Sequence, residues 1–345
     1  MIDFTALSLP VLIGAFLALA AVVLWAGTRL ARLADRLADL TGWGEAITGA
    51  IFLGAITSAA GSVTSVAAAA KGHPDLAISN AIGGIAAQTV FLVPADLAYR
   101  RANLEHAAAS LSNMISGAVL MVLLTLLLIA AVLPEVTLFA IHPITPLLLI
   151  TYILGMVVSD NAKKAPMWGP QQTRDTAEDV PDEPKGDRRT VFKLFGLVIL
   201  LGLLVGLAGY FIAETGLAIA EKTDIRKGVV GALMTSVSTS TPELVTTLAA
   251  VRRGALTLAI GGILGGNAFD VLFSAFSDIA YRDGSIYHAM EPDQLFLIQL
   301  SILMTAVLLM GLLQRERHGP ANIGFESIAL VGLYAGGVAL LVWAF

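Results

Sequence analysis

Ten apolar stretches, each near the roughly 20 residues that a helix needs to cross a bilayer, dominate this chain. They lie at about 9–30, 46–70, 74–97, 110–133, 143–160, 191–215, 227–251, 255–278, 294–313 and 322–344. Residues of hydrophobic type make up 57% of the sequence and charged ones 14%, against about 25% charged in an ordinary soluble domain. Backbone polar groups in hydrocarbon must be satisfied within their own segment, and runs of this length do so as helices. The expectation is an all-α polytopic membrane protein with ten transmembrane helices. The first residues, Met1-Ile2-Asp3-Phe4, lack the basic start of a signal peptide, so the first run reads as a retained helix.

The long polar stretch is 161–190, which carries Gln171-Gln172, Asp175, Glu178, Asp179, Asp182, Glu183 and prolines. It reads as a flexible linker between a first five-helix unit, 1–160, and a second, 191–345. Loops after the odd-numbered spans hold most of the basic residues, among them Arg29, Arg32, Arg36, Arg100, Arg101, Lys163, Lys164, Arg252, Arg253, Arg315 and Arg317. The opposite side holds Lys71, Lys222, Arg226, Lys227 and Arg282. The positive-inside rule then puts the linker in the cytoplasm and both termini outside, in what reads as the cell (inner) membrane. A net charge of −5 gives no footing for nucleic acid. The absence of cysteine excludes thiolate metal sites, disulfides and cysteine nucleophiles.

The two units resemble each other. Residues 49–100, moved forward by 182 positions without a gap, bring Gly49-Ala50 onto Gly231-Ala232 and Thr57-Ser58 onto Thr239-Ser240. They also bring Lys71-Gly72 onto Arg253-Gly254, Gly83-Gly84 onto Gly265-Gly266, and Asp96 with Tyr99-Arg100 onto Asp278 with Tyr281-Arg282. Polar matches in one register make chance similarity of Ala/Gly-rich helices a poor explanation. Five helices separate the copies, so they enter the membrane from opposite sides. Inverted repeats of this kind are a transporter architecture with its site near the midplane.

Polar groups lie deep in both copies. The seventh span carries Ser238-Thr239-Ser240-Thr241-Pro242-Glu243-Leu244. Pro242 lacks an N–H and disturbs the preceding turn, which frees carbonyls near Ser238 and Thr239. Glu243 follows that break, and the eighth span carries Gly265-Gly266-Asn267-Ala268-Phe269-Asp270. Carboxylates at such depth are costly unless paired, protonated or bound to a cation, and hydroxyls and carbonyls are the ligands that hard cations prefer. The first copy is poorer: Pro242 faces Ala60 in the register, Glu243 faces Gly61, and Asp270 faces Gln88. For Thr57 and Ser58 a bond back to the helix is the plain alternative to ligation, and Gln88 serves equally as interhelical glue. Asp96 and Asp278 read as boundary anchors or caps. Glu45, Glu214 and Glu221 read as solvated. His73, His106, His142, His288 and His318 sit in or beside loops without forming a ligand cluster. The glycine run of the eighth span lacks the Lys-Ser/Thr of a phosphate loop.

Thr239 through Thr246, then Arg253-Gly254, then Gly265 through Asp270 resemble the second alpha-repeat of the cation/Ca2+ exchanger superfamily, the sodium/calcium exchanger type. Thr57-Ser58, Lys71-Gly72-His73-Pro74-Asp75-Leu76-Ala77 and Gly83-Gly84 resemble the first. The resemblance implies a tight bundle of spans 2–5 and 7–10, with spans 1 and 6 as long tilted gating helices. It implies a central cation site of Thr57, Ser58, Gln88, Thr239, Ser240, Glu243 and Asp270, with Glu243 and Asp270 as the charged metal ligands. No cofactor and no enzymatic activity are implied; the lipid bilayer and inorganic cations are the partners. Against the family pattern, the first-repeat glutamate is Gly61, the serine of Gly-Ser-Asn is Gly84 and Gly266, and the first-repeat asparagine is Ile85. The expected function is a secondary antiporter working by alternating access, with Na+ or H+ coupled to Ca2+ or another cation. The rival is a degenerate exchanger homologue with a structural or sensing role. Oligomeric state is not legible.

Overall fold

The computed structural model describes residues 4–41, 54–171, 173, 188–319 and 323–345. Glu45, Gly49-Ala50, the start of the second span and half of the 161–190 linker lie outside them. Among the described residues the chain is helical, and its one β-type pairing is an isolated bridge between Leu138 and Ile141.

The first unit comprises α1 (Leu9–Thr41), α2 (Ala59–Ala70), α3 (Pro74–Val90), α4 (Leu92–Ala98), α5 (Leu104–Ala108), α6 (Leu111–Val132) and α7 (Ile144–Lys164). The second comprises α8 (Arg188–Thr223), α9 (Lys227–Val229), a π-helical turn at Val230–Thr235, α10 (Ser236–Thr239), α11 (Thr241–Arg253), α12 (Leu256–Asp270), α13 (Leu272–Ala280), α14 (Pro292–Gln314) and α15 (Phe325–Trp343). Among the described residues, eight helical segments are long and apolar enough to cross a membrane. The other two expected spans are the partly described 46–70 and the interrupted 227–251, which the turns around Ser58 and Ser240 divide into shorter pieces. The short helix α5, packed under α12 and α14, has no counterpart among the expected spans.

The 182-residue register persists in the hydrogen bonds. Gly72 and Gly254 both take the left-handed conformation, φ 75° and 84°. After each, the chain closes the helix in the same way: His73 N donates to Ala68 O and Ala255 N to Ala250 O, both at 3.0 Å. These are paired Schellman-type caps, for which glycine is the natural residue. Asp96 accepts from Leu104 N at 2.8 Å, Gly324 N at 3.3 Å and Ser327 Oγ at 3.0 Å. Asp278 accepts from Ile286 N at 3.2 Å, His142 N at 2.9 Å and Thr145 Oγ1 at 2.6 Å. Each donor in one set lies 182 positions from its counterpart in the other. The two aspartates are caps, each tying its own repeat to the start of the last helix of the other.

Three apolar cores follow from this arrangement, the smallest of them joining Ala86, Val93, Leu300, Met304 and Leu330. The largest gathers α3, α6, α7, α12, α13 and α14. The second lies between α1 and α8 and includes Ala60 of α2, so the long pair lies against one side of the bundle. Close approach is set by small residues: a Cβ on Gly83 would lie 2.6 Å from the Ala232 backbone, which is why α3 can cross the π-turn. Thr64 Oγ1 donates to Gly209 O at 2.8 Å, fixing α2 to α8. Glu214 is not solvated as expected. It pairs with Lys71, so α8 and the end of α2 share a part-buried ion pair.

Candidate central site

Ser58 and Ser240 break their helices with nearly the same backbone, φ −89°, ψ 11° and φ −95°, ψ 1°. The bonds around them match in register. Ser58 N donates to Gly54 O and Ser240 N to Ser236 O, each at 3.0 Å. Thr57 Oγ1 donates to Gly54 O at 3.2 Å and Thr239 Oγ1 to Ser236 O at 3.1 Å. The first copy has Ala60 where the second has Pro242, so proline is not what makes the turn. The carbonyl of Ser238, expected to be freed by Pro242, accepts from Thr241 Oγ1 at 2.9 Å.

These turns, α3 from Asn80 to Gln88 and the end of α12 at Asp270 surround a small cavity of about 10 Å³, room for roughly one water-sized sphere. Its lining includes Ser58, Gln88, Thr239, Ser240, Glu243 and Asp270. Six of the seven sequence-predicted residues are therefore brought together. Thr57 is not among the lining residues, and its hydroxyl makes the bond back to the helix just described. Gln88 and Asp270, register equivalents, meet across the repeat interface: Gln88 Nε2 donates to Asp270 Oδ2 at 2.6 Å and to Ser240 Oγ at 3.0 Å.

Several cavity oxygens have no donor. Ser58 Oγ, Gln88 Oε1, Glu243 Oε2 and Asp270 Oδ1 are buried without a hydrogen-bond partner. Glu243 and Asp270 are 8% and 2% exposed, and no Lys, Arg or His lines the cavity. Two buried carboxyls without a basic partner are costly unless a proton or a cation neutralises them. Chemically the arrangement accepts protons or a cation.

Sequence reasoning missed two contributors. Asn80, a lining residue, donates through Nδ2 to Gly61 O at 3.1 Å and Ser65 Oγ at 2.9 Å, and its Oδ1 accepts from Thr235 Oγ1 at 2.6 Å. It thereby joins α2, α3 and the π-turn behind the site. Its signal was an amide inside the apolar run Ala77-Ile78-Ser79-Asn80-Ala81-Ile82, without a polar partner in the register. Phe273 also lines the cavity and gave no signal, since an aromatic in an apolar helix is ordinary.

A second cavity, of about 310 Å³, opens at the side of the even-numbered loops and is lined by Asp75, Glu221, Asp224, Arg226, Lys227 and Asp293 among others. Arg226 Nη1 lies 3.3 Å from Asp293 Oδ2. His73, beside this cavity, is held below the ordinary histidine range by burial and then by the Lys227 charge, and its Nδ1 lies 3.1 Å from Lys227 Nζ. Among the described residues, no group of three His, Asp or Glu side chains is arranged to hold a metal ion.

Fold and site together define an inverted-repeat membrane protein with a polar centre. Residues 11–159 and 193–343 match the family described as sodium/calcium exchanger protein; the chain belongs to that family, one of membrane cation exchangers. It is 29% identical over 168 residues to the uncharacterized membrane protein MJ0091 of Methanocaldococcus jannaschii, covering 48% of this chain and 51% of that protein. It is 36% identical over 78 residues to the sodium/calcium exchanger MaX1 of Methanosarcina acetivorans, covering 23% of this chain and 22% of that one. The chain thus spans about half or less of the length of these relatives. Among solved structures, the H+/Ca2+ exchanger CAX superposes with a TM-score of 0.67 at 14% identity, over 96% of this chain and 85% of that one. The sodium-calcium exchanger NCX_Mj superposes with a TM-score of 0.59 at 20% identity, over 98% and 99%. At such identities these likenesses establish the fold.

Proposed function

We propose that the protein is a secondary cation antiporter that works by alternating access through its central site. Glu243 and Asp270 hold the ion, and Ser58, Thr239, Ser240 and Gln88 supply neutral oxygens. The observation that carries this reading is the set of buried, partnerless oxygens around a cavity with two acids and no basic residue. Ca2+ takes 6–8 oxygens, so backbone carbonyls or water complete its shell, or the carried ion is one that asks for fewer. When the ion leaves, protons or a competing cation neutralise the carboxyls, and this competition couples the two fluxes. NCX_Mj and CAX are, by name, a sodium-calcium and an H+/Ca2+ exchanger, which gives Na+ and H+ as the coupling ions to try first. The linker faces the cytoplasm and both termini face out, by the distribution of Lys and Arg.

Glu243→Gln keeps the shape and removes the charge. It is expected to abolish gradient-driven cation flux in proteoliposomes, and full transport by this variant would overturn the assignment. A second reading, a non-transporting homologue, is favoured by one observation: the first repeat has Gly61 where the second has its glutamate. Thermal stabilisation by a cation, lost in Asp270→Asn, would argue against it.

A further inference from the structure

The two repeats share a backbone frame, and the first lacks both acids of the second: Gln88 stands opposite Asp270, and Gly61, with no side chain at all, opposite Glu243. Gly61 is buried in α2. A Cβ built on it would lie 2.8 Å from Phe273 Cε2 and 3.3 Å from Cζ, with Thr239 Oγ1 at 3.5 Å. The nearer of these is closer than packed atoms tolerate, so the ring stands where the first atoms of a side chain would go. The ring is also braced. Phe273 is 3% exposed and meets Phe269 edge-on, centroids 6.1 Å apart and planes at 79°. Phe269 in turn meets Tyr152 edge-on at 5.8 Å. Moving Phe273 aside would disturb that aromatic chain, and close-packed interiors resist such shifts.

We propose that Phe273 is a specificity-determining residue of the central site: its ring fills the volume that a side chain at position 61 would occupy, and limits the site to a single cation held by Glu243 and Asp270. This deepens the cation-site reading above and rests on it. Volume and charge agree. The cavity of about 10 Å³ admits roughly one water-sized sphere. Its two carboxyls balance one divalent ion, or one monovalent ion and one proton. Charge beyond that balance would be strongly disfavoured at low effective dielectric. The substrate class is therefore one cation per cycle, exchanged for a competing cation or for protons on the same two acids.

The test compares full-length wild type, Gly61→Glu, Phe273→Ala and the double variant. Bound ions are counted by equilibrium dialysis with Na+, K+, Ca2+, Mg2+ and Mn2+ each as the probe. Wild type is expected to bind one ion per chain. Gly61→Glu alone should bind no more than wild type, whereas the double variant should take a second ion or bind at least roughly tenfold more tightly, a difference of about 1.4 kcal/mol. Two ions on wild type, or Gly61→Glu matching the double variant, would overturn the proposal. A thermal-melting cycle of Gly61→Ala and Phe273→Leu reads the contact without any ion. The double variant should melt above the sum of the two single losses, and additive losses would refute the plug. If wild type binds none of the probes while the cycle shows coupling, the cation-site reading fails and the specificity role falls with it; the coupling would then report packing alone.

Discussion

Asp96 and Asp278 show what single side chains contribute. Each accepts three hydrogen bonds while fully buried, and each set joins the two repeats. Asp278→Ala would strand two backbone N–H groups, while the Thr145 hydroxyl keeps Tyr287 Oη as a partner. Leaving buried donors unpaired costs about 1–3 kcal/mol apiece, so a loss of at least about 2 kcal/mol is expected in thermal or denaturant unfolding of the detergent-solubilised protein. Asp278→Asn keeps one acceptor oxygen and should lose less. Equal losses for Ala and Asn would show that the hydrogen bonds are not what matters. The acids were visible in the sequence because the repeat aligned them, and their role as caps was among the readings. Their partners were not visible, because His142 and Gly324 lie 136 and 228 positions away and no local pattern encodes them. Phe273 was hidden for a related reason: its effect depends on a glycine in another helix.

At the scale of elements, the interrupted motif helices are the informative case. The sequence located the break of the seventh span near Ser238-Thr239 and assigned its cause to Pro242; it gave no break at Ser58 in the second span. Ser58 turns as Ser240 does, with Ala60 in the proline's place. What the two turns share is a threonine hydroxyl bonded back three residues, Thr57 to Gly54 and Thr239 to Ser236. Pro242 has another neighbour: a Cβ on Gly27 of α1 would lie 2.6 Å from Pro242 Cγ. That close approach sets α1 against the start of α11. Pro242→Ala is therefore expected to keep the turn and the cation-dependent stabilisation. Gly27→Val should destabilise by about 1–3 kcal/mol through overpacking, and Pro242→Ala should relieve much of that loss. Melting curves of the two single variants and the double variant decide it, and a Gly27→Val loss unaltered by Pro242→Ala would mean that the two helices do not meet there. The reach of α1, 33 residues, exceeds its expected span because Arg29, Arg32 and Arg36 continue the helix after the apolar run ends; α8 is longer still, at 36 residues. Arg29 covers the Trp25 ring at 4.5 Å.

Across the whole molecule, pseudo-symmetry governs the backbone while polar content departs from it at the centre and again at one end. Glu105 in α5 and Glu326 at the start of α15 are each 1% exposed. Both carboxyl oxygens of Glu105 and Oε2 of Glu326 lack a hydrogen-bond partner. Their register equivalents are Tyr287 and Ile144, and there Tyr287 Oη and Thr145 Oγ1 satisfy each other at 2.7 Å. Nearby Arg315 gives its Nη groups to the carbonyls of Gln171 and His106, not to the acids. Burial, then the nearby Glu326 charge, then the Asp96 charge, hold Glu105 well above the usual carboxylate range. A carboxyl raised on folding binds its proton more tightly in the folded state. Its contribution to stability is complete below the unfolded value of about 4.3 and is lost as pH rises through the folded one. Glu105→Gln makes the neutral form permanent. Relative to wild type it should gain stability as pH is raised from about 4.3 toward 8, reaching about 1–3 kcal/mol, the cost of a buried polar group left unpaired. Near pH 4 the two should melt alike. Glu243 and Asp270 are common to both proteins, so the difference between their melting profiles across pH isolates Glu105. Parallel profiles would show that this end of the molecule carries no proton at neutral pH.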